Sequence, residues 1–354
     1  MQNNKVTSSL LSWYSKEKRI LPFRDIDNPY KIWLSEVMLQ QTQVETVIPY
    51  FERWIKKYPT LESVANEEQE SLLKMWEGLG YYSRCRNFHK ATQVVVEKHC
   101  GIIPDNWDGF HALPGVGDYT ASAVLSIAFQ QPYPVIDGNV KRVFARILGL
   151  KKLTTRNMSR MKNHLNNIIS KENPRDFNQS VMELGARVCT PRNPNCGQCP
   201  VSFKCKAFGY GDPQAYPTFI KKKTPPNYTI VAGIVWRGEK FYIQKRGEKG
   251  MLAGLWEFPG GKVKKGESLQ DALCREIKEE CGAKPKILKK IGAIKHAYTH
   301  FSITFHGYHC EENSTPFQGQ ENSKWIKQSQ IDEFPFPKAN HKLFKLLDDQ
   351  GWDV

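Results

Sequence analysis

Three groups of residues in this 354-residue chain have types and spacings that could do chemistry. The densest is Cys189-x6-Cys196-x2-Cys199-x5-Cys205, four thiols within seventeen residues, interrupted by prolines and flanked by basic side chains. Thiolates at this density can hold a tetrahedral zinc ion or an iron–sulfur cluster, and spacing alone does not separate the two. A second group lies in "GGKVKKGESLQDALCREIKEECGA", residues 260–283, where Glu276, Glu279 and Glu280 are spaced for one side of a helix behind a glycine-rich loop and Glu267. On a helical wheel Glu276 and Glu280 share the sector of Leu269, Leu273 and Ile277, so they point where the helix packs. Carboxylates placed there need a counter-charge, either Arg275 or a cation such as Mg2+. The third is Asp137 in "PVIDGNVKRVFARI", which ends an apolar run and begins a helix. It reads as a helix N-cap, as a catalytic carboxylate at a helix mouth, or as both. Upstream, "HALPGVGDYTASAV" sets Gly115 and Gly117 in a tight turn whose free backbone N–H groups can receive a phosphate without reading sequence.

Two blocks of elements must position these groups. Residues from about 5 to 210 read as helix after helix. "WLSEVMLQQTQVETVIPYFERWIKKY" has helical periodicity, with Leu34, Val37, Met38, Val44 and Ile48 on one stripe. Glu36 falls on the flank of that stripe, with Gln40 and Gln43 on the same side. "TASAVLSIAF" is a short apolar helix suited to a central place. Residues 213–227 contain four prolines and three consecutive lysines, a composition that fits a linker. Beyond them "TIVAGIVWRG" and "KFYIQKRG" read as paired strands and "SITFHGYHC" as another strand. The expected fold is therefore multidomain: an all-α domain over 1–212 with the cysteine loop at 189–205, a linker, and an α+β domain over 228–354.

The net charge is +15, and residues 151–250 contribute 19 basic against six acidic side chains. Such concentration suits a polyanion, nucleic acid foremost. No apolar run is long enough to cross a membrane, and the N-terminal stretch lacks the apolar core of a signal peptide. The expectation is a cytoplasmic, nucleoid-associated protein of bacterial type, acting as a monomer, with its clustered cysteines on a metal rather than in disulfides.

Together, "LPGVGDYTASAV", "VIDGNV" and the cysteine spacing resemble the helix–hairpin–helix DNA glycosylases that carry a [4Fe–4S] loop. "SEVMLQQTQV", "GLGYYSRCRN", "ELGARVCTPRNPNC" and a C-terminal region of Nudix type narrow the resemblance to the MutY family, adenine glycosylases acting opposite 8-oxoguanine. It extends over nearly the whole chain. The resemblance implies a [4Fe–4S] cluster on Cys189, Cys196, Cys199 and Cys205, and a partner that is double-stranded DNA with adenine opposite 8-oxoguanine or guanine. The adenine must be flipped out of the duplex to be reached. Glu36 would protonate an imidazole nitrogen of adenine, and Asp137 would stabilise or trap the positive charge left on the sugar. Tyr119 and Asn139 would orient Asp137 or the attacking water. Gln41 and Tyr81 would insert into the base stack, and Arg24 would line the adenine pocket. Members that also cut the strand carry a lysine where this chain has Tyr119, which implies a monofunctional enzyme leaving an abasic site. Tyr298-Thr299-His300 stand where the family reads 8-oxoguanine with Phe-Ser-His; the tyrosine is a departure.

The carboxylate helix matches the Nudix pattern G-x5-E-x7-R-E-U-x-E-E-x-G-U, where U is a large aliphatic, except that Ala283 takes the last place. C-terminal domains of the resembled family have generally lost most of this box. Its retention raises the expectation of a residual Mg2+ site at Glu276, Glu279 and Glu280, with nucleoside-triphosphate hydrolysis as the associated activity. Two other readings remain: a Nudix phosphohydrolase that uses its helical domain only to dock on DNA, and a non-catalytic iron–sulfur module. Neither needs both Glu36 and Asp137.

Overall fold

A computed structural model describes residues 2–218, 224–313, 315–318 and 322–352. Part of the expected linker, 219–223, lies outside the described residues. The chain folds into two compact units, one of residues 1–66 and 87–221, the other of residues 67–86 and 222–354.

The helices in the first part of the chain are α1 (Gln2–Glu17), α2 (Pro29–Leu39), α3 (Val44–Lys57), α4 (Leu61–Ala65), α5 (Gln69–Met75), α6 (Ser83–His99), α7 (Trp107–His111), α8 (Asp118–Phe129), α9 (Gly138–Leu148), α10 (Thr155–Ile168), α11 (Pro174–Arg187) and α12 (Lys206–Gly209). The single helical stretch expected around residues 33–58 is in fact α2 and α3, and the apolar stripe does not run through. Leu34, Val37 and Met38 are buried while Val44 and Ile48 are half-buried. The polar run Gln40–Gln43 breaks the helix, and Gln41 sits in the break at φ 58°. Asn28 starts α2 by accepting a hydrogen bond from the Lys31 N–H, with Pro29 in the first turn. Every residue from Ile32 to Met38 is buried, with both α8 and α3 packed on α2.

Two of the core clusters in this unit bear on the site. Ile32 of α2, Ala123 and Ile127 of α8 and Val135 form one. Val6 and Leu10 of α1, Val140, Phe144 and Ile147 of α9, Met161 and Leu165 of α10, and Phe177, Val181 and Leu184 of α11 form the other. The turn between α7 and α8 depends on Gly115, at φ 75°, where a Cβ would lie 2.5 Å from that of Asn87. Gly117 then caps α8 with open space around it.

In the second unit, β1 (Asn227–Arg237), β2 (Lys240–Lys245), β3 (Trp256–Glu257), β4 (Gly260–Lys262), β5 (Lys286–Ala297), β6 (Ser302–Glu311) and β7 (Ser323–Ile326) make a mixed sheet. Its main order is β3-β2-β1-β6-β5, with β1 and β6 parallel. Alternate residues of β1 face opposite layers, as the pleat requires. Val231 and Val235 join Leu273 and Ile277 of α13 (Leu269–Cys281), whereas Ala232 and Ile234 join Leu343, Phe344 and Leu347 of α14 (Lys338–Gln350).

The short segment 67–86 is bonded into this sheet unit. Glu70 accepts from Lys245 Nζ at 2.5 Å and from Trp256 Nε1 at 2.9 Å. Glu77 accepts from the Phe336 N–H at 2.6 Å and pairs with His341 at 2.8 Å. Arg86 donates to the Ala253 carbonyl at 2.7 Å.

Candidate active site

The sequence places Glu36 on a helix flank; the fold buries it to 7% exposure by laying α8 over α2. There the Tyr119 hydroxyl donates to Glu36 Oε2 at 2.8 Å. Burial pushes the Glu36 carboxyl up to about 7, a rise opposed by the Tyr119 bond and reinforced by the charge of Asp137. Asp137 is an N-cap whose side chain also reaches the pocket. It caps α9 by accepting from the Val140 N–H at 2.6 Å, and it lines the same pocket as Glu36. Burial raises its carboxyl too, against the Val140 N–H and the Asn139 amide, which donates at 3.1 Å. The Tyr119 hydroxyl is bonded to Glu36, and the Asn139 amide is the side chain bonded to Asp137. Burial, with the adjacent Glu36 charge, holds the Tyr119 phenol protonated well past the ordinary range, so it stays a donor.

Sequence reasoning found Arg24 but missed the group it serves. Glu183 of α11, 1% exposed, accepts from Arg24 Nη2 at 2.5 Å and from Arg19 at 2.7 and 3.0 Å. Burial works against its charge, but the two arginines outweigh it and keep the carboxyl below its usual range. All three line the pocket, with Phe23, Gln179 and Met182 supplying apolar and amide surface. A buried glutamate between Val181 and Leu184 on the apolar side of α11 was the available signal.

Arg142 joins this pocket to the cysteine loop. It donates to Asn139 Oδ1 at 2.8 Å, to the Gly185 carbonyl at 2.7 Å and to the Cys189 carbonyl at 2.8 Å. Gly185 has no room for a side chain, since a Cβ would stand 2.6 Å from that of Asn139. Further along, Arg146 is 1% exposed and binds the carbonyls of Thr190, Pro191 and Tyr216. It also donates to Cys189 Sγ at 3.2 Å. Cys189, Cys196, Cys199 and Cys205 line one small cavity with Val188 and Phe208. Among the described residues no three His, Cys, Asp or Glu converge on a single metal ion. Four thiols held around a shared space fit a polynuclear cluster, which keeps its ligands apart.

Tyr81, Tyr298, Thr299 and His300 meet around a cavity in the second unit. Tyr81, at φ 49°, shares a 2.5 Å hydrogen bond between its hydroxyl and that of Thr299. The Arg84 guanidinium lies 5.3 Å from the Tyr81 ring centre.

Models of known families match three parts of the chain. Residues 34–171 match the HhH-GPD superfamily of base excision DNA repair proteins, 189–205 the iron–sulfur binding domain of endonuclease III, and 231–346 the NUDIX domain. The mouse adenine DNA glycosylase is 34% identical over 97% of this chain and 78% of its own length. The chain belongs to the adenine DNA glycosylase family. The human adenine DNA glycosylase is likewise 34% identical, over 97% of this chain and 74% of that protein. That of Buchnera aphidicola from Schizaphis graminum is 32% identical over 96% and 97%. Among solved structures, a thermostable thymine-DNA glycosylase superposes with a TM-score of 0.55 at 27% identity, covering 59% of this chain and 98% of its own. An endonuclease III trapped on DNA shares the fold, with a TM-score of 0.52 at 24% identity over 59% of this chain and 97% of that one. This chain thus carries a helical glycosylase domain, an iron–sulfur binding loop and a Nudix-like domain, in that order.

In this adenine DNA glycosylase family member the carboxylate helix is internally satisfied. Arg275 donates to Glu267 at 2.7 and 2.9 Å and to Glu276 at 2.8 Å, and reaches Glu279 at 3.5 Å. Glu279 faces solvent, so the three glutamates do not share one side. Glu280 accepts from the Gly260 N–H at 2.9 Å and from Gln244 at 2.8 Å, and burial pushes its carboxyl up to about 7. Glu276 packs so closely on Gly261 that any side chain there would strike its carboxyl group. As folded, Arg275 is the counter-charge of Glu267 and Glu276.

Proposed function

We propose that this chain excises adenine paired with 8-oxoguanine or guanine in duplex DNA, as a monofunctional glycosylase of base excision repair that leaves an abasic site. The observation carrying the proposal is the pair of pocket carboxylates held in different surroundings. Glu36 is pushed to about 7 by burial, so a large share of it is protonated near neutral pH and can give its proton to a ring nitrogen of adenine. Asp137 keeps two donors, the Val140 N–H and the Asn139 amide, which favour its anionic form. It is the group suited to face positive charge developing on the sugar. Tyr119 fixes the Glu36 carboxyl, and as a phenol it cannot form a Schiff base with the sugar. Glu183, locked by Arg19 and Arg24, offers a fixed acceptor for the exocyclic amine of the flipped base.

Gly115 and Gly117 would hold a backbone phosphate at the start of α8, with Gln41 and Tyr81 entering the base stack. Tyr298, Thr299 and His300 would read the opposite 8-oxoguanine. The four cysteines would hold a [4Fe–4S] cluster, which would supply rigidity to a basic loop. A Mg2+ ion at Glu276, Glu279 and Glu280 would first have to draw two of them away from Arg275. Mg2+-dependent release of monophosphate from 8-oxo-dGTP, lost on Glu280→Gln, is the measurement that would establish it.

The test is a duplex with adenine opposite 8-oxoguanine, incubated with the protein and then treated with alkali. Strand cleavage only after alkali is the expected result. Intact adenine with the wild-type protein, or full activity in Asp137→Asn, would overturn the proposal.

A further inference from the structure

The second unit carries a stripe of lysines that its own carboxylates leave alone. On α14, Lys338, Lys342 and Lys345 are exposed and stand at i, i+4 and i+7, one face of the helix. Lys342 Nζ donates to the Lys295 carbonyl at 2.9 Å, which ties the stripe to β5, where Lys289, Lys290 and Lys295 are also exposed. Several other cations of this unit are matched, Lys245 to Glu70, Lys286 to Glu311, Lys327 to Glu239 and Arg237 to Glu312, and the remaining unmatched lysines among the described residues, such as Lys240, Lys264 and Lys278, lie on neither α14 nor β5. Among the described residues no ion pair reaches Lys289, Lys290, Lys295, Lys338, Lys342 or Lys345.

The stripe begins at the cavity of Tyr298, Thr299 and His300, whose wall includes Lys338. Burial first, and then the charges of Lys342 and Lys338, keep neighbouring His296 below its ordinary range, so these ammonium groups act on that wall. Lysines on an edge strand have an ordinary use, which is to stop another strand from pairing there. That accounts for β5. It does not account for α14, a helix with no edge to protect.

We propose that the α14 stripe, from Lys338 to Lys345, is a track for the phosphate backbone of the strand that carries the lesion, on one side of the 8-oxoguanine. The inference rests on the reading of Tyr298–His300 as the lesion reader. The dimensions agree: seven residues of helix span about 10 Å, the axial rise of about three nucleotides of one strand at roughly 3.4 Å each. Each lysine seated on a phosphate displaces a condensed counter-ion. The track therefore adds affinity without adding base preference, and its contribution fades with salt.

The experiment measures the dissociation constant of the full-length, cluster-containing protein as a function of NaCl concentration. One duplex carries 8-oxoguanine opposite an adenine analogue that resists excision; the other is undamaged. For Lys338→Ala/Lys342→Ala the log–log salt slope should be shallower than wild type by about 1.8, or 0.9 per contact, on both duplexes. Lys338→Arg/Lys342→Arg should keep the wild-type slope, as should Lys327→Ala, whose charge is already matched by Glu239. An alanine pair with the wild-type slope would overturn the track. If the wild type binds the lesion duplex no better than the undamaged one, the lesion reader fails instead. The slope on undamaged DNA still judges the track in that case.

Discussion

Glu36 and Glu280 are both carboxyl groups that burial pushes up to about 7, yet their surroundings suit them to different ends. Glu36 lines an open pocket, has a single described donor in Tyr119, and shares the space with a capped Asp137 and the Arg19–Arg24–Glu183 group. Glu280 spends an oxygen on the Gly260 N–H and Gln244, while its neighbour Glu276 is held by Arg275 and pressed against Gly261. A displaced pKa thus marks burial. It marks chemistry only where a reactant has room to arrive and a second, differently tuned group faces it. The Nudix-like box keeps the residue types of a metal site, and in it Arg275 staples loop to helix through Glu267 and Glu276.

The sharpest way to break this comparison is to neutralise one carboxylate from each region. Glu36→Gln and Asp137→Asn should each slow single-turnover adenine release by about 10²–10⁴-fold, the usual range for removing a positioned acid or charge partner. Glu280→Gln should leave the rate within about twofold of wild type, since it touches no group of the pocket. A comparable loss in all three would mean the regions are not functionally distinct.

Next in size is the pH dependence. Activity that needs protonated Glu36 should fall about tenfold per unit as pH rises beyond about 7. Tyr119→Phe removes a bond that lowers this pKa, so its alkaline limb should move to higher pH, with a modest drop in plateau rate. A limb that stays in place in Tyr119→Phe would detach it from Glu36. A third measurement concerns stability. Because folding raises the Glu280 pKa above its unfolded value, the group costs nothing well below pH 4.5 and its penalty grows as pH climbs to about 7. Urea unfolding of Glu280→Gln against wild type should shift in favour of the variant by up to about 3 kcal/mol between pH 4.5 and 8. The smallest effect belongs to Arg275→Met. Glu267 and Glu276 keep other partners or solvent on loss of Arg275, and a small destabilisation is expected in the same assay. A larger loss would show that the staple holds more of the sheet unit than its exposure implies.

What was legible in the sequence was local. The cysteine loop, the Gly115 turn and the Asp137 cap are each written in a few contiguous residues, because turn and cap chemistry acts over three or four positions. The burial of Glu36 was not legible. It arises because α8 crosses α2 eighty residues away in sequence, and a stripe of Leu34, Val37 and Met38 cannot report that the opposite flank is covered as well. The same limit hid Glu183, and it let periodicity run past Gln40–Gln43 where the helix stops. In the carboxylate box, the wheel correctly turned Glu276 and Glu280 inward. It left open whether Arg275 or a cation would face them, and it could not show that the Gly260 N–H would bond Glu280.

The anchoring of residues 67–86 through Glu70 and Glu77 carries a consequence for how such a protein can be divided or recombined. Read as text, the chain looks like two cassettes joined at a proline-rich seam, and a graft at that seam looks harmless. Yet the Tyr81 segment is encoded in the first cassette and folds with the second. A foreign second half would arrive without the partners that Glu70 and Glu77 require, so the two halves must be exchanged as a matched pair or re-matched at those contacts.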